Sequence, residues 1–423
     1  MNMKNTSINR RTFLQTTSAA LLGMASFAIA AEEKDERYEA YVPCRAITRE
    51  PGSHWFSYYD KFQFDPTNRY VLGMRVEFND RSPKPDDIIH LGYIDLENDD
   101  QWVEFDETTA WNWQQGCMLQ WLPGSSSEVI FNVREEGFYA SKIMDVFTRQ
   151  ERYLPQAIYA VGPKGREAVV PNFARLNDTR PGYGYAGIPD PFANRNHPIK
   201  DGIHYVDLRT GLSRMILSLD QMLAFEPQEN MKGENIKHWF NHLLISPDGR
   251  RFIFLHRWNR EDGRSWHTRM ITADITGKNL HIVADHDMVS HFIWKNDKQI
   301  IAWSREPETG DHFHLYTDQS NTVEVIGDGI LTRDGHCTYS PDGKWILTDT
   351  YPDANRMQNL MLYHPEDNEL IPLGKFYLSP DFKGETRCDL HPRWSRDGKM
   401  VCIDSLHSGK RQMYLLDVSK YTA

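Results

Sequence analysis

The chain has 423 residues and a formal net charge of -11. No stretch after residue 30 approaches the roughly 20 consecutive apolar residues that a membrane-spanning helix needs, so we expect no membrane span in the mature protein. The acidic composition and the lack of a basic stripe argue against a nucleic-acid partner. An anionic substrate must therefore meet a locally basic pocket.

Residues 1–30 are predicted to be an export signal and not part of the fold. The segment Asn9 to Gln15 (NRRTFLQ) precedes an apolar stretch that ends in Ala28-Ile29-Ala30. A charged start, a short apolar core and a small-residue end are typical of a signal peptide. The paired arginines before Phe-Leu favour the twin-arginine type over an ordinary secretory signal. We expect residues 31–423 to form one domain, in the periplasm or outside the cell.

The cysteines of the mature chain do not suggest a disulfide framework. There are five, with no CxxC spacing: Cys44, Cys117, Cys337, Cys388 and Cys402. An odd count in a chain of this size argues against structural disulfides, which mainly serve small secreted domains.

Short apolar runs alternate with Asp-Gly and Pro-Asp-Gly turns, which is typical of strands and turns. The clearest unit has a strand at 336–339, a turn at 340–343 and a return strand at 344–349. Two further strands are predicted at 359–363 and near 369–373. Four strands in roughly 45–55 residues match one β-propeller blade.

The same template predicts three blades before this unit. One starts near Lys61 and a second near Cys117. A third lies within 160–235, where 202–208 and 213–217 look like outer strands and the inner strands are obscure. With the four blades described next, the total is seven; six or eight remain open because the third region is poorly defined by pattern.

Four histidines recur at one register in the second half of the chain. Each stands six residues before an aspartate at a turn, and an apolar or aromatic residue follows three places after it. The histidines are His242, His291, His336 and His391, and the aspartates are Asp248, Asp297, Asp342 and Asp397. A repeat of this period indicates a radial or linear array. In a closed ring, the four imidazoles would converge on the axis.

The last unit shows only three strands, at 392–395, 400–404 and 411–418. We expect the missing strand to come from the N-terminal stretch at 41–47, because such closure removes exposed sheet edges. The predicted fold is therefore an all-β, seven-bladed β-propeller in which an N-terminal strand closes the last blade.

Strand order places the chemistry on one face of this ring. The first strand of a blade is innermost, so its start and the end of the second strand share a face. The histidines then share that face with several arginines near inner-strand ends: Arg75, Arg134, Arg257, Arg305 and Arg387. Guanidinium groups bind carboxylates or sulfates in bidentate fashion. Two aromatic stretches, Ser53–Tyr59 and Trp111–Gly116, lead to the same face and offer planes that stack on sugar rings.

Three or four imidazoles around one centre are a normal ligand count for a divalent metal. Asp334, Asp389, Gln114 or Gln115 are candidates to complete the shell. Direct binding of substrate by the ring and capping of blade tops are the alternatives. No G-x-S-x-G, P-loop, dinucleotide or HExxH motif is present.

The Ser-Pro-Asp-Gly turns preceded by histidines resemble the propeller of the oligogalacturonate lyase family. The resemblance is best from His242 to Val418, and His336 and His391 match its blade-start ligand positions. It implies seven blades, a manganese-type ion held by histidines and a glutamine, and β-elimination at uronates. The family's glutamine ligand and catalytic arginine have no clear match. The chain is also similar to secreted propellers that dehydrate terminal uronates during ulvan breakdown.

The resemblance implies a carbon-oxygen lyase for uronate-containing oligosaccharides, acting as a lyase or a dehydratase. We expect His291, His336 and His391 to hold the metal (Mn, Zn or Ca), His242 to transfer the proton and Arg257 to bind the carboxylate. Tyr59 or its neighbour Tyr58 is the expected acid. The expected substrate-binding residues are Arg134, Arg305, Trp113 and His54.

The expected partner is an acidic oligosaccharide, without an organic cofactor, and the expected assembly is a monomer or small homo-oligomer. The alternatives are a non-catalytic, TolB-like or glycan-binding periplasmic propeller and a metal-dependent oxidoreductase. Metal analysis discriminates among the three.

Overall fold

The computed structural model describes residues 37–56 and 58–422. They form seven antiparallel sheets, which follow one another along the chain as the blades of a β-propeller. This confirms the predicted fold class. The export signal predicted at 1–30 lies outside the described residues. Within the described part, no helix is long and apolar enough to cross a membrane.

Two short strands precede the first blade, and the first three blades follow in chain order. The strands are β1 (Tyr38–Ala40) and β2 (Cys44–Ala46); in blade one β3 (Ser53–Trp55), β4 (Tyr70–Val76), β5 (Ile89–Asp95) and β6 (Gln101–Thr108); in blade two β7 (Gln120–Trp121), β8 (Glu128–Glu135), β9 (Phe138–Asp145) and β10 (Glu151–Leu154); in blade three β11 (Ala160–Val161), β12 (Glu167–Val170), β13 (Gly202–Asp207) and β14 (Ser213–Ser218).

The remaining four blades contain the histidine repeat. Their strands are, in blade four, β15 (His238–Ile245), β16 (Arg251–Asn259), β17 (Trp266–Asp274) and β18 (His281–Ala284); in blade five β19 (Val289–Trp294), β20 (Gln299–Glu306), β21 (Gly310–Thr317) and β22 (Val323–Ile326); in blade six β23 (Cys337–Tyr339), β24 (Ile346–Asp349), β25 (Met357–His364) and β26 (Glu369–Tyr377); in blade seven β27 (Arg393–Trp394), β28 (Met400–Ser405) and β29 (Gln412–Asp417).

The ring is closed by the N-terminal strands. β2 pairs with β29 and supplies the fourth strand of blade seven, with Cys44 opposite Leu416 and Ala46 opposite Tyr414. This confirms the predicted closure. β1 adds a fifth strand to the edge of blade six, with Tyr38 opposite Phe376. The N-terminal stretch therefore covers the open edges of two neighbouring blades, which protects their backbone groups from pairing with other chains.

The repeated Ser-Pro-Asp-Gly turn is a hydrogen-bonded structural device. In blade six, the Ser340 hydroxyl donates to Asp342 Oδ1 at 2.6 Å and accepts from the backbone N–H of Trp345 at 3.0 Å. Gly343 has φ of 75°, a left-handed conformation that glycine adopts without steric cost. Ser246 and Ser395 make the same pair of bonds in blades four and seven. The motif therefore fixes the turn that follows the inner strand in these three blades.

Blade three carries the largest insertion, between β12 and β13. It contains the short helix α1 (Phe173–Thr179), where the sequence predicted a long loop over 175–200. Gly184 then packs directly on α1, because a Cβ there would lie 2.1 Å from the backbone nitrogen of Asn177. Two further helices, α2 (Leu219–Ala224) and α3 (Ser419–Thr422), follow β14 and β29.

A directed chain of hydrogen bonds links two buried histidines of blade four. His238 donates from Nε2 to the Met231 carbonyl at 2.9 Å, so its Nδ1 accepts from His256 Nε2 at 3.0 Å. His256 Nδ1 then accepts from Arg269 Nε at 3.1 Å. All four imidazole nitrogens can form these hydrogen bonds only when both imidazoles are neutral. Burial lowers the pKa of His238 to about 4 and holds the pKa of His256 well below its usual value.

This chain predicts a loss of stability in mild acid. A histidine whose pKa is lower in the folded state binds its proton mainly in the unfolded state, so stability falls as the pH drops from about 6.5 to about 4. For His238 the loss reaches about 3 kcal/mol. We expect His256→Gln, which can keep both hydrogen bonds, to show a smaller drop in melting temperature between pH 7.5 and 4.5 than the wild type. The exposed His286→Gln is the control. An equal drop in melting temperature over this pH range in all three proteins would contradict the interpretation.

Candidate functional site

The four repeat histidines meet at the centre of the ring. Each is buried, with 2–4 % of its surface exposed. The ring centroids of His291 and His336 lie 4.0 Å apart, and those of His336 and His391 lie 4.3 Å apart. His242 and His391 have positive φ values of 48° and 42°. The pairing of β15 with β16 also shifts at His242. Such irregularities re-aim a side chain out of the sheet.

Two adjacent tyrosines fill the centre of this histidine cluster. The inner strand of blade one is interrupted: β3 ends at Trp55, and pairing resumes only at a bridge between Phe64 and Val71. The intervening chain brings the Tyr58 ring within 5.0–5.9 Å of His242, His336 and His391. The Tyr59 ring lies 5.2–5.9 Å from His242, His291 and His336. We call residues 56 and 58–62 the tyrosine loop.

The Tyr59 hydroxyl holds the tyrosine loop to blade five. It donates to the Phe292 carbonyl at 2.9 Å and accepts from the Phe292 N–H at 3.1 Å. Its single proton is used, so the contact of 3.3 Å with His242 Nε2 requires that nitrogen to donate. His242 is therefore a neutral imidazole with its proton on Nε2, and Nδ1 is the nitrogen that can accept a proton. Burial holds the pKa of His242 well below its usual value.

The Tyr58 hydroxyl is not held in this way. Within 37–56 and 58–422 it has no hydrogen-bond partner, although the side chain is buried. Burial raises its pKa well above the usual value, as do the neighbouring hydroxyls of Tyr183, Tyr159 and Tyr351. Tyr58 therefore stays protonated and carries a hydroxyl proton that no other described group uses.

Carboxylates orient two of the histidines. His336 Nδ1 lies 3.0 Å from both oxygens of Asp349, and His291 Nδ1 lies 3.0 Å from Asp334 Oδ1. A carboxylate on one ring nitrogen presents the other nitrogen to a metal. Burial opposes a charge on His336, but Asp349 outweighs it and raises the pKa of that imidazole.

One group of donors fits a divalent ion. Ligand atoms of His336, Asp389 and His391 all lie within 4.8 Å of one another. His391 Nε2 is buried and has no hydrogen-bond partner in the described chain, and burial holds its pKa well below the usual value. Such a group is costly unless something binds it. Two imidazoles and a carboxylate suit Mn²⁺ or Zn²⁺.

The group includes two of the three predicted ligands. His291 lies beside it, but its Nδ1 is bound to Asp334 and its Nε2 lies 3.4 Å from the Tyr351 hydroxyl. Asp389, one of the residues considered for the shell, is paired with Arg387 at 2.6 and 2.7 Å. Arg387 holds the pKa of Asp389 below its usual range despite complete burial. Its carboxylate is therefore ionised and keeps lone pairs for a second partner.

Arg257 is buried without a carboxylate partner. It donates from Nε to Thr268 at 3.2 Å and from Nη2 to the Val289 carbonyl at 3.3 Å, and no described residue forms an ion pair with it. Only 7 % of its surface is exposed. Burial lowers its pKa to about 10, so it stays charged at neutral pH. An unpaired buried charge is expensive, and binding of an external anion offsets that cost.

The insertion of blade three completes the surroundings of Arg257. Arg180, just after α1, stacks on Trp266 at 4.3 Å, and the Arg257 guanidinium lies 5.5 Å from the same ring. Tyr183 follows, and its hydroxyl lies close enough to raise the pKa of both Tyr58 and Arg257. Sequence patterns missed Arg180 and Tyr183; the Gly182-Tyr183-Gly184 run, which permits a tight approach to α1, was the available signal.

The other predicted substrate residues do not join this centre. Arg305 is half exposed and forms a bidentate pair with Asp311. Arg134 contacts Asp86 at 3.1 Å. Trp113 is buried, with its indole nitrogen donating to the Arg81 carbonyl. His54 packs against Trp102 at 5.2 Å. Each of these side chains is occupied by a neighbour in its own or an adjacent blade.

Known proteins resemble this chain in fold but not in sequence. No protein-family model matches the sequence, and no curated protein matches it. An oligogalacturonate lyase structure from Vibrio parahaemolyticus is similar, with a TM-score of 0.63 and 13 % identity over 91 % of this chain and 98 % of that one. An oligogalacturonate lyase in complex with manganese has a TM-score of 0.64 and 15 % identity over 90 % and 96 %. The chain therefore has the fold of these lyases.

The donor group predicts metal binding that depends on His391. We expect the purified protein to bind about one Mn²⁺ or Zn²⁺ per chain, measured by equilibrium dialysis with elemental analysis. His391→Ala should abolish most of this binding, and Asp349→Asn should weaken it by about 10–100-fold, because Asp349 orients His336. The exposed His286→Ala should bind as the wild type does. Undiminished binding by His391→Ala would show that the ion is held elsewhere.

Proposed function

We propose that the protein is a carbon-oxygen lyase that acts on uronate-containing oligosaccharides by β-elimination. The observation that carries the proposal is the buried, unpaired guanidinium of Arg257 beside a cluster of imidazoles and tyrosines. A uronate carboxylate supplies the missing partner in a bidentate geometry. The shared fold with two oligogalacturonate lyases supports the proposal.

The elimination needs three functions, and the residues of this site can perform each of them. A base removes the C5 proton of the uronate, charge develops on the carboxylate, and the C4–O bond breaks as that oxygen takes up a proton. We assign the base to His242 through Nδ1, because its Nε2 proton is held by Tyr59. Arg257 binds the carboxylate and stabilises the developing charge.

We assign the acid to Tyr58 and not to Tyr59. The Tyr59 hydroxyl is already bound by the backbone of Phe292, whereas the Tyr58 hydroxyl is uncommitted among the described groups. Tyr58 also lies near Arg257, whose pKa its hydroxyl raises. An oxygen leaving from C4 can therefore be protonated close to the bound carboxylate.

His336, Asp389 and His391 would hold the divalent ion, for which we propose manganese. Such an ion supplies Lewis-acid stabilisation of the developing negative charge. Asp349 keeps His336 oriented, and Arg387 keeps Asp389 ionised. If the C4 oxygen carries a sugar, the product is a shorter chain; if it carries hydrogen, water leaves. The expected place of reaction is the periplasm or the medium, as the twin-arginine-like leader suggests.

The test is incubation of the metal-loaded protein with pectic and ulvan-type oligosaccharides. Absorbance in the unsaturated-uronate band should rise, and mass spectrometry should show either loss of water or chain cleavage. Arg257→Gln should lower kcat/KM by about 100-fold, because a charged hydrogen-bond partner of the carboxylate is lost. The exposed Arg250→Gln should leave kcat/KM unchanged. Binding without turnover, across both substrate classes, would make the protein a glycan-binding propeller instead.

The two tyrosines provide a matched pair of variants. Tyr58→Phe should lower kcat by about 100-fold or more with little change in stability, as expected for loss of a general acid. Tyr59→Phe should lower the melting temperature, because the tyrosine loop loses its bond to Phe292, at a cost of about 1–2 kcal/mol. Steady-state kinetics and thermal unfolding of both variants check this. The reverse pattern would move the acid role to Tyr59.

A further inference from the structure

A cavity of about 400 Å³ lies at the opposite end of the inner strands from the histidine cluster. It is lined by the end of the tyrosine loop and by the turns of blades six and seven. Tyr59 lies between the histidine cluster and this cavity, because its ring is 5.7 and 5.9 Å from those of His242 and His291 and the residue also lines the cavity. We call this space the turn-side cavity.

Three aromatic side chains line the turn-side cavity at equivalent positions of successive blades. They are Trp294, Tyr339 and Trp394, each three residues after a repeat histidine. Tyr339 and Trp394 are only partly buried, so part of each ring is available to a ligand. The indole nitrogen of Trp394 and the hydroxyl of Thr338 are buried and have no hydrogen-bond partner in the described chain. Aromatic planes with unused polar groups beside them suit a sugar ring.

Positive charge is concentrated around these rings. Lys295 lies with its ammonium 5.8 Å from the Tyr339 ring, and Arg396 stacks on Phe62 at 3.7 Å. Neither has an ion-pair partner among the described residues. Lys61 also lines the cavity but is paired with Asp60 at 2.9 Å. In a protein of net charge -11, two uncompensated cations attract an anion to this point of the surface.

We propose that the turn-side cavity is a second saccharide-binding site, which holds one acidic sugar residue, bearing a carboxylate or a sulfate ester. The sugar ring packs against Tyr339 and Trp394, and the anionic group lies between Lys295 and Arg396. The lining contains no histidine, and its one carboxylate, Asp60, is paired with Lys61. It therefore binds an acidic glycan without reacting with it, and it does not depend on the elimination chemistry proposed above.

The test measures binding with the first site silenced. Arg257→Gln protein is titrated calorimetrically with glucuronate, with galacturonate, with a sulfated monosaccharide and with neutral glucose. We expect saturable binding of at least one acidic sugar and none of glucose; the carboxylate and sulfate arms identify which anionic group is preferred. Adding Lys295→Glu should weaken this binding by about tenfold. Lys298→Glu, at an exposed lysine three residues away, should not.

Several outcomes would overturn the second site. They are no saturable binding of any acidic sugar to Arg257→Gln protein, equal binding of glucose, or equal affinity in Lys295→Glu and Lys298→Glu. Lys295→Gln removes the charge without reversing it and serves as a milder variant if Lys295→Glu is unstable, as judged by thermal unfolding. Turnover of oligosaccharides by the Lys295 variants is measured separately and should match the wild type. Failure of elimination thus stays distinguishable from failure of this site.

Discussion

Closure of the ring is the constraint on which the rest of the molecule depends. Each blade is a small twisted sheet that cannot bury both faces alone, and the histidines come from four different blades. The cluster that they form with Tyr58 and Tyr59 of blade one is complete only when blade seven meets blade one. β2 makes that junction by pairing with β29, and further bonds reinforce it, such as His54 N–H to the Arg411 carbonyl at 2.8 Å. The site therefore forms only in the closed ring, because no single blade contains all of its residues.

The local repeat was sufficient to predict the architecture. The histidine register recurs in blades four to seven, and in three of these blades the same serine-bonded turn follows the inner strand. Closure by 41–47 could be predicted because the last blade visibly lacks a strand. Blade three gave a weaker signal, because its inner strands are only Ala160–Val161 and Glu167–Val170 and a long insertion separates them from β13.

The site could be predicted only in part, because its remaining members come from departures from the repeat. The break in the inner strand of blade one, which brings Tyr58 into the cluster, has no periodic signature. Tyr183 comes from the insertion of blade three, whose path is set by packing on α1. The sequence also does not show which arginine lacks an ion-pair partner. Arg305 and Arg387 form ion pairs with nearby aspartates, whereas Arg257 donates hydrogen bonds only to Thr268 and to a backbone carbonyl.

Several charges near the centre of the ring are compensated pair by pair. The buried guanidinium of Arg393 is matched by Asp404, and that of Arg387 by Asp389. His336 and His291 each have a carboxylate of their own. Arg257, in contrast, donates only to neutral acceptors among the described residues. Its positive charge therefore lacks a negative partner in the folded protein, and binding of an external anion would compensate it.

The contacts of the tyrosine loop join parts of the chain that are synthesised far apart in time. Its first residue, Phe56, donates its backbone N–H to Asp404, which lies on β28 near the C-terminal end of the chain. Phe56, which is translated early, is thus held by Asp404, which is translated near the end of synthesis. A growing chain that still lacks blade seven has neither this anchor nor His391. The histidine cluster and the tyrosine loop can therefore be joined only after blade seven has been synthesised.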